Sequence, residues 1–511
     1  MRRTSKEIYR HVEELTVENE RLKEENRRLR KENREIKTEN TRLRKRIETL
    51  ESTLEARIAK AVEDAVAKAT EPLLAIIAEK DKEILRLKSQ LNKDSSNSSQ
   101  PPGTVGFKKI PNNREKSSRK QGGQHGHRGA RLDIPENLAE LVESGVAEHI
   151  IVSEVAEGEP YVSDWTVDIK VVTVFTEHRR EPGKPPKIEY GIQLKVLAVY
   201  LCVMGLIAYK RLSEFFREIS KGLITVSKGT LAEFNRSAAE RINLESNVHD
   251  LLNGEVINVD DTQIKTSERP CSDGTMETAK NTTFNAYIRT YSNEKTTVLT
   301  ANPGKSEETV NTDNILTQFH GIVSQDHEAK FYNFGNANAT CCAHLTRELK
   351  GLSQLQMLEW AIGVRSFFLE MNEHKLEDIR EDKTSCGSDL LCLFEEQYDK
   401  YVIAGRLQLE SMPPKSFGHD ELRRMVNRLE KHKDNYMLFM RNYKAPFTNN
   451  QAERDLRHCK TRQKVSGCFR SWQGVLDYCK IRSFLSTAKK RGQNLVASLT
   501  GIFINVVPAG Q

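Results

Sequence analysis

The beginning of the chain carries large apolar side chains at a regular spacing of seven residues. They are Leu15, Leu22, Leu29, Ile36, Leu43 and Leu50. The other seam position of the same repeat holds Asn19, Asn26, Asn33 and Asn40. Asparagine at a buried seam position costs stability but fixes the register and favours parallel dimers. The pattern predicts an N-terminal α-helical coiled coil over 1–95 that makes the chain a homodimer or higher oligomer, with its phase interrupted at Pro72.

The heptad pattern gives way to a segment, 96–131, that has no hydrophobic periodicity. Serine and asparagine lead into Pro101 and Pro102, which end any helix. From Pro102 to Arg131 there are eight Lys or Arg against one Glu. Such a composition cannot bury a core, so the segment is predicted to be a basic flexible linker. Its charge suits a phosphate backbone, but a plain linker explains the composition equally well.

The next region, 132–186, has weaker signals. The residues Asn137 to Ser144 are predicted to form a helix, and Tyr161 to Thr176 alternate as a strand does. We therefore expect a small mixed domain. It contains no cysteine.

Three helices are predicted in the following region, 187–250. An apolar helix covers about Ile192 to Ala208, a second covers Tyr209 to Ile219, and Ser227 is a good N-cap for a third over Lys228 to Arg241. A helix, a glycine-containing turn and a capped helix resemble a helix-turn-helix that binds DNA. The basic residues that this motif would present to DNA are Lys228 and Arg236. An ordinary helical bundle fits the same pattern.

A buried strand followed by acids opens the longest region, 251–500. Val256 to Val259 are rich in β-branched residues, and Asp260 and Asp261 are predicted to stand at the strand's end. Alternation predicts two more strands at Phe284 to Thr290 and Thr296 to Thr300. A helix at Ser306 to Phe319 and a fourth strand at Gly321 to Gln325 follow.

This order of elements is the early part of a ribonuclease-H-like α/β fold, in which the first and fourth strands are neighbours. Asp260 and Asp326 would then lie together, although the Asp-Asp-Thr sequence by itself is also ordinary turn chemistry. The long interval before the next acidic candidate predicts a helical insertion at about 350–440.

A third acid is offered by the sequence from Asn449 to Arg457. Asn449 or Asn450 can cap a helix, which places Glu453 in its first turn. Arg454 and Arg457 would share a helical face and could meet a phosphate. A solvated helix start is the alternative explanation of this segment when it is taken alone.

Composition narrows the class of protein. The chain has 511 residues, too many for one core, and a formal net charge of +7. Its nine cysteines include no Cys-x-x-Cys pair, which favours reduced thiols in a cytoplasm. The N-terminus has no apolar export signal, and the longest apolar run, Val196 to Ala208, is shorter than the roughly 20 residues of a membrane span. From these features we expect a cytoplasmic protein with no membrane partner.

Several motifs in order resemble the transposases of the insertion sequence 66 family, which move bacterial mobile elements by DDE chemistry. The strand-end motif is matched by Val259 to Thr262, and the aspartate before a tyrosine-containing loop by Asp326 to Asn333. The Cys-x-Ala-His-x-x-Arg pattern is matched by Cys341 to Arg347, and Asn-Asn-x-Ala-Glu-Arg by Asn449 to Arg454. Upstream, the coiled coil, the Pro101–Pro102 break and the Gly122-to-His127 segment also match.

The resemblance implies the chemistry and the roles of the matched residues. Asp260, Asp326 and Glu453 are the implied catalytic residues and ligands of two Mg²⁺ or Mn²⁺ ions. Supporting or DNA-binding roles are implied for His344, Arg347, Asn449, Asn450, Arg454 and Arg457. The partners implied are the ends of a mobile element, its target DNA and helper proteins of the same element.

Two departures from the family pattern stand out. The family's four-cysteine zinc finger has no counterpart in 132–186, so no zinc cofactor is expected. Asp261 replaces the usual glutamate of the strand-end motif and leaves Asp260 in place. A catalytically inactive relative that binds DNA and oligomerises is the alternative function. A Holliday-junction or repair nuclease of the same fold is disfavoured by the long coiled coil.

Overall fold

The protein is described by a computed structural model. The structure describes residues 5–93, 133–152, 155, 159–160, 162–179, 187–271, 273–355, 358–414 and 416–504. The predicted basic linker, with Pro101, Pro102 and Gly122 to His127, lies outside these residues. The chain divides into two compact units, Met1–Leu91 and Asn92–Gln511.

The N-terminal unit is one helix, α1 (Ser5–Asn92), which continues through Pro72. Proline interrupts the heptad phase there but does not end the helix. The seam leucines are about half exposed, for example Leu22 at 47% and Leu29 at 52%. A lone amphipathic helix has nothing of its own on which to pack this apolar stripe, so the coiled coil remains a prediction that needs a second chain.

The segment after the linker has little regular structure. Helix α2 (Leu138–Glu143) lies within the predicted helix, with Asn137 and Ser144 as its caps. The predicted strand at Tyr161 to Thr176 is wrong: residues 162–176 form none, and none of the described residues between 133 and 179 is buried. Alternating Val and Ile make a strand only where a neighbouring strand pairs their backbone groups. The described residues offer no such partner here.

Four helices precede the sheet: α3 (Ile192–Val203), α4 (Tyr209–Ile219), α5 (Lys228–Arg241) and α6 (Glu245–Leu252). Helix α3 ends earlier than predicted because Leu206 adopts a positive φ of 56°. Ser227 caps α5 as expected, since its side chain accepts a hydrogen bond from the Thr230 N–H at 3.0 Å. Helices α3 to α5 share their hydrophobic core with one face of the sheet.

The central sheet has five strands: β1 (Val256–Thr266), β4 (Phe284–Ser292), β5 (Thr297–Asn302), β6 (Ile322–Gln325) and β7 (Ala337–Thr340). A separate hairpin consists of β2 (Glu268–Pro270) and β3 (Met276–Thr278). The sheet order is β5-β4-β1-β6-β7. Strand β1 pairs antiparallel with β4 and parallel with β6. The predicted adjacency of the first and fourth major strands is therefore present.

Two predicted boundaries in this region were wrong. Asp260 and Asp261 lie inside β1 rather than at its tip, because β1 remains paired with β4 as far as Thr266. The helix after β5 is shorter than expected: α7 (Glu307–Asp313) ends where Asn314 adopts the left-handed conformation with φ 53°.

The rest of the unit is helical. The helices are α8 (Cys342–Leu355), α9 (Trp360–Arg380), α10 (Ser388–Ser411), α11 (His419–Lys431), α12 (Lys433–Arg441), α13 (Asn450–Ser466), α14 (Trp472–Lys490) and α15 (Leu495–Ile504). Helices α8 to α12 have a core of their own, which also includes Ile322 and Ala339 of the sheet. Helices α13 to α15 pack with α3 to α5 on the sheet. The result is a mixed sheet within a largely helical unit.

Candidate active site

Strand β1 separates its two adjacent aspartates. Successive side chains of a strand point to opposite faces, so Asp260 and Asp261 enter different environments. Asn258 of β1 lies opposite Ser324 of the parallel strand β6. Two residues further along each strand, this register brings Asp260 level with Asp326, which follows directly after β6. Two acids that are distant in sequence thus meet on one face of the sheet.

The surroundings of Asp260 disfavour its negative charge. Burial, and next the charge of Asp326, raise the pKa of Asp260 well above its ordinary value. The Oδ1 atom of Asp326 is buried and accepts no well-aligned hydrogen bond from the described residues. A buried carboxylate oxygen without such a partner is costly unless a cation compensates it. Asp326 has one positive neighbour, His344, whose Nδ1 atom lies 3.3 Å from its Oδ1 atom, and both acids retain oxygen lone pairs that could bind a cation.

Helix α8 supplies two cationic side chains to this face. His344 places its Nδ1 atom 3.3 Å from Asp326 Oδ1 and its Nε2 atom 3.6 Å from Glu453 Oε1. Arg347, one turn further on, donates from Nη2 to Glu453 Oε1 at 3.3 Å. Burial acts to lower the pKa of His344, but the adjacent Asp326 and Cys341 outweigh it and raise the pKa to about 10.

Helix α13 brings the third acid. Glu453 lies in its first turn, as predicted. Asn449 occupies the N-cap position, but its side chain makes no capping hydrogen bond. The Asn449 side chain is fully buried and its Nδ2 donates instead to Val259 O at 2.9 Å, while its backbone N–H donates to Cys341 Sγ at 3.2 Å. Asn449, one of the two predicted capping candidates, thus takes the N-cap position, but its side chain joins the start of α13 to β1 instead of capping the helix.

Six predicted site residues thus converge: Asp260, Asp326, Glu453, His344, Arg347 and Asn449. Five others stand apart from this cluster. Asn450, Arg454 and Arg457 are exposed along α13, where Arg454 donates to Gln451 Oε1 at 2.7 Å. Lys228 and Arg236 are exposed on α5. The charges of Arg236, Glu233 and Glu240 all act on Asp477 of α14, so this surface is mixed in sign rather than basic.

Asp261 faces the opposite side of the sheet and is neutralised there. Its Oδ1 accepts a hydrogen bond from Arg289 Nε at 2.8 Å, and its Oδ2 pairs with Lys330. Arg289 also donates to Asp313 Oδ2 at 2.6 Å. The side chains of Asp261 and Arg289 are both completely buried. Asp261 is therefore part of a compensated ion-pair network within the core.

Two lysines near Asp260 were missed by sequence reasoning. Lys460 of α13 donates to Gln263 O at 3.2 Å, and burial lowers its pKa while the charge of Asp260 acts in the opposite direction. Lys305 pairs with Glu328 and also experiences the charge of Asp260. Lys460 follows Glu453 by seven residues, which is about two helical turns. The sequence spacing could therefore have shown that Lys460 and Glu453 lie on the same face of α13. Lys305 lies in a loop and carried no such signal.

The sequence model of the transposase IS66 family matches residues 189–476, which is more than half of the chain. The chain belongs to this family. The matched range begins just before α3, ends inside α14, and includes every residue of the converging cluster. A search of curated proteins found no match.

Family membership confirms the resemblance seen in the motifs and makes the protein a transposase in general terms, one that acts on DNA. The match does not reach α1 or α2. Among the residues that the structure describes, no helix is both long and apolar enough to cross a membrane.

Proposed function

We propose that this transposase cuts and joins DNA strands at the ends of a mobile element, with Asp260, Asp326 and Glu453 as its catalytic carboxylates. The observation that carries the proposal is their convergence. They come from β1, from the residue after β6 and from the first turn of α13, and His344 lies between two of them. In this proposal the unit 251–500 is a ribonuclease-H-like catalytic domain with a helical insertion.

The donor set fits hard divalent cations. Carboxylate oxygens are the ligands that Mg²⁺ and Mn²⁺ prefer in proteins, and Asp326 Oδ1 is buried without a well-aligned hydrogen bond. Asp260, Asp326 and Glu453 would hold two such ions. When bound, these ions would activate the attacking water or 3′-hydroxyl and offset the charge that develops on the phosphodiester.

The neighbouring side chains of the protein prepare this arrangement. His344 is within 3.3 Å of Asp326 and 3.6 Å of Glu453, so it holds two carboxylates that would otherwise repel each other. Arg347 orients Glu453 through its hydrogen bond. Asn449 fixes the first turn of α13 against β1. Each acts on the carboxylates and not on the substrate.

DNA would follow the exposed basic surface of α13 and its continuation. From Arg454 to Arg491 the sequence has eleven Lys or Arg against two Asp. Arg482 is buried, and Arg462, Lys480 and Lys490 are half-buried, so the other seven form the exposed part of this surface. Arg454 and Arg457 are among these seven, and Asn450 is exposed at the start of the helix. Phosphate contacts release counterions, so affinity should fall steeply with salt. An affinity that hardly changes between low and physiological salt would argue against this surface as the main contact.

Residues 187–250 are a second, weaker candidate for DNA contact. They form helices as predicted, but Lys228 and Arg236 share α5 with acidic residues. We propose that their contribution to binding is smaller than that of α13. Replacing Arg454 and Arg457 by Gln should reduce affinity more than replacing Lys228 and Arg236.

The remaining regions are proposed to assemble and place the enzyme on DNA in the cytoplasm, with helper proteins of the same element as further partners. Residues 1–95 would pair as a parallel coiled coil, 96–131 would act as a basic linker, and 132–186 would stand where relatives carry a zinc finger.

Sedimentation of the full chain should show at least a dimer. The double variant Leu29→Lys and Leu43→Lys should be a monomer. These two leucines are exposed on a single α1 helix, and a charge at each position would oppose their burial between two helices.

The decisive experiment is cleavage of duplex DNA that carries the element's own ends. The full chain should nick and join these substrates in Mg²⁺ or Mn²⁺, and a chelator should abolish the reaction. Binding of the same DNA without cleavage in either metal would instead favour the inactive, DNA-binding relative. A mutation series at the three carboxylates then tests their assignment.

A further inference from the structure

A second set of donor atoms overlaps the carboxylate cluster and has a different chemistry. Asp326, Cys341 and His344 each present one ligand atom, and all three atoms lie within 4.8 Å of one another. The parallel pairing of β6 with β7 explains this. Gln325 lies opposite Thr340, and the Cys341 N–H donates to Gln325 O at 2.9 Å. Asp326 and Cys341 therefore leave neighbouring strands side by side.

The measured separations suit a tetrahedral metal ion. His344 Nδ1 lies 3.3 Å from Asp326 Oδ1 and 3.4 Å from Cys341 Sγ. Ligands at about 2.0–2.3 Å from a tetrahedral zinc ion are themselves separated by about 3.3–3.7 Å. Small side-chain movements would bring all three atoms onto one ion, with release of the protons carried by His344 Nδ1 and by the Cys341 thiol. A water molecule could complete the four ligands.

We propose that Asp326, Cys341 and His344 form a site for a thiophilic divalent ion of the Zn²⁺ type, and that such an ion inhibits the enzyme by withdrawing Asp326 from the catalytic metals. Thiolate and imidazole ligands select zinc over magnesium, which prefers oxygen ligands. The binding site stands on its own geometry, whereas its inhibitory effect rests on the proposed function. The ion would be a regulator and not a structural zinc like that of a zinc finger.

Access to the site is compatible with this role. The Cys341 side chain is only 2% exposed, but the side chains of Asp326 and His344 are 14% and 16% exposed. An ion would therefore enter through the carboxylate cluster itself. The Cys341 sulfur also accepts the Asn449 N–H at 3.2 Å. That contact holds Cys341 beside α13, the helix that carries Glu453. The sulfur of Cys341 keeps a further lone pair with which it can bind a metal ion.

The first test uses Co²⁺ as a spectroscopic probe of the full chain, without DNA or Mg²⁺. A thiolate bound to Co²⁺ gives a charge-transfer absorption band, which should saturate at one equivalent per chain and disappear when Zn²⁺ is added. Cys341→Ser should abolish the band. Serine can still accept the Asn449 N–H, so the fold should be retained, and circular dichroism checks this.

Two further variants complete the binding test. Cys468→Ser is the matched control because Cys468 is half-buried and its sulfur lies 3.7 Å from the Ser267 hydroxyl, away from the proposed ligands. The absorption band of this variant should equal that of the wild type. His344→Gln should weaken Co²⁺ binding by at least about tenfold, the loss seen when even a ligand's supporting partner is removed. Absence of the band in the wild type, or its persistence in Cys341→Ser, would overturn the site.

The second test measures Zn²⁺ inhibition of Mg²⁺-supported DNA cleavage, with each variant compared with its own rate in the absence of Zn²⁺. Cys341→Ser should raise the Zn²⁺ concentration for half-inhibition by at least about tenfold, and Cys468→Ser should not change it. Equal sensitivity in Cys341→Ser would overturn the inhibitory role. If the wild type cleaves no DNA, the proposed function fails, and the cobalt band still decides whether the site exists.

Discussion

The two adjacent aspartates of β1, Asp260 and Asp261, lie on opposite faces of the strand and have opposite charge environments. On one face, Asp261 is fully buried and its charge is met by Arg289 and Lys330. On the other, Asp260 is half-buried beside a second acid, Asp326, and desolvation and that neighbouring charge raise its pKa. Local sequence hardly distinguishes the two residues. Their surroundings differ because side chains alternate across a strand.

The difference separates a structural acid from a candidate catalytic one. An ion pair within the core must be complete, because a buried charge without a partner is strongly destabilising. The Asp260 face is incomplete by that standard. Three carboxylates converge on it, and His344 and Arg347 contact only Asp326 and Glu453. The nearby lysines, Lys305 and Lys460, contact Glu328 and Gln263 O instead of pairing with Asp260. On this face of β1 the carboxylates lack a full set of cationic partners, whereas Asp261 on the other face has them. A metal-dependent site needs carboxylates of the first kind.

The largest effect on DNA cleavage should come from removing the negative charge of Asp260, on the face where the carboxylates lack cationic partners. Asp260→Asn should reduce metal-dependent DNA cleavage by about a thousandfold or more, because metal ions contribute several kcal/mol to transition-state stabilisation. The variant should remain folded, since it loses one of several like charges. In the wild type, Mg²⁺ should raise the melting temperature by binding the folded state only, and this increase should be smaller in the variant. Wild-type cleavage by Asp260→Asn would remove Asp260 from the site.

Glu453→Gln should also reduce cleavage by orders of magnitude. The substitution keeps size and hydrogen-bonding capacity but removes the charge that Asp260 and Asp326 cannot replace. DNA affinity should be close to that of the wild type, because the exposed arginines of α13 are unchanged. A cleavage assay and a binding titration on the same preparation separate these effects. Loss of binding in parallel with cleavage would count against a role in metal binding.

Asp261→Asn should act on stability instead of chemistry. It leaves Arg289 and Lys330 with less compensation in the core, and breaking a buried pair in this way costs about 3–5 kcal/mol. Denaturant unfolding should show this loss, whereas cleavage per folded molecule should change far less than in Asp260→Asn. If Asp261→Asn abolished cleavage without affecting stability, the assignment of the two faces would have to be reversed.

The smallest effect is expected at Asp455, two residues beyond Glu453. Its carboxylate accepts hydrogen bonds from Lys490 Nζ at 2.8 Å and Thr297 Oγ1 at 3.1 Å, which attaches α13 to α14 and β5. Asp455→Asn keeps an oxygen acceptor but removes the charge that pairs with Lys490, so it should cost about 1.5–3 kcal/mol of stability, the usual contribution of a hydrogen bond to a charged group. Cleavage should remain near the wild-type rate. A large loss of cleavage would mean that α13 is rotated by about half a turn.

Much of the sheet was predictable because local patterns specify it. Alternation placed β4 and β5 within two residues of their observed bounds, and the apolar run at Val256 placed the start of β1 but not its end at Thr266. The same signal failed at Tyr161 to Thr176, where alternation exists but the described residues contain no strand. The alternation of apolar and polar residues makes a segment able to form a strand. The strand forms only where a neighbouring segment has free backbone N–H and C=O groups to pair with it.

The sequence by itself determined the heptad spacing of α1, the capped helix at Ser227, the order of the motifs and the choice of candidate acids. Tertiary structure alone decided which acid is compensated, that Asn449 holds β1 instead of capping its helix, and that Cys341 meets Asp326 and His344. These outcomes depend on residues far apart in the chain. The register of β1 against β6, and of β6 against β7, brings them together, and no local spacing encodes that register.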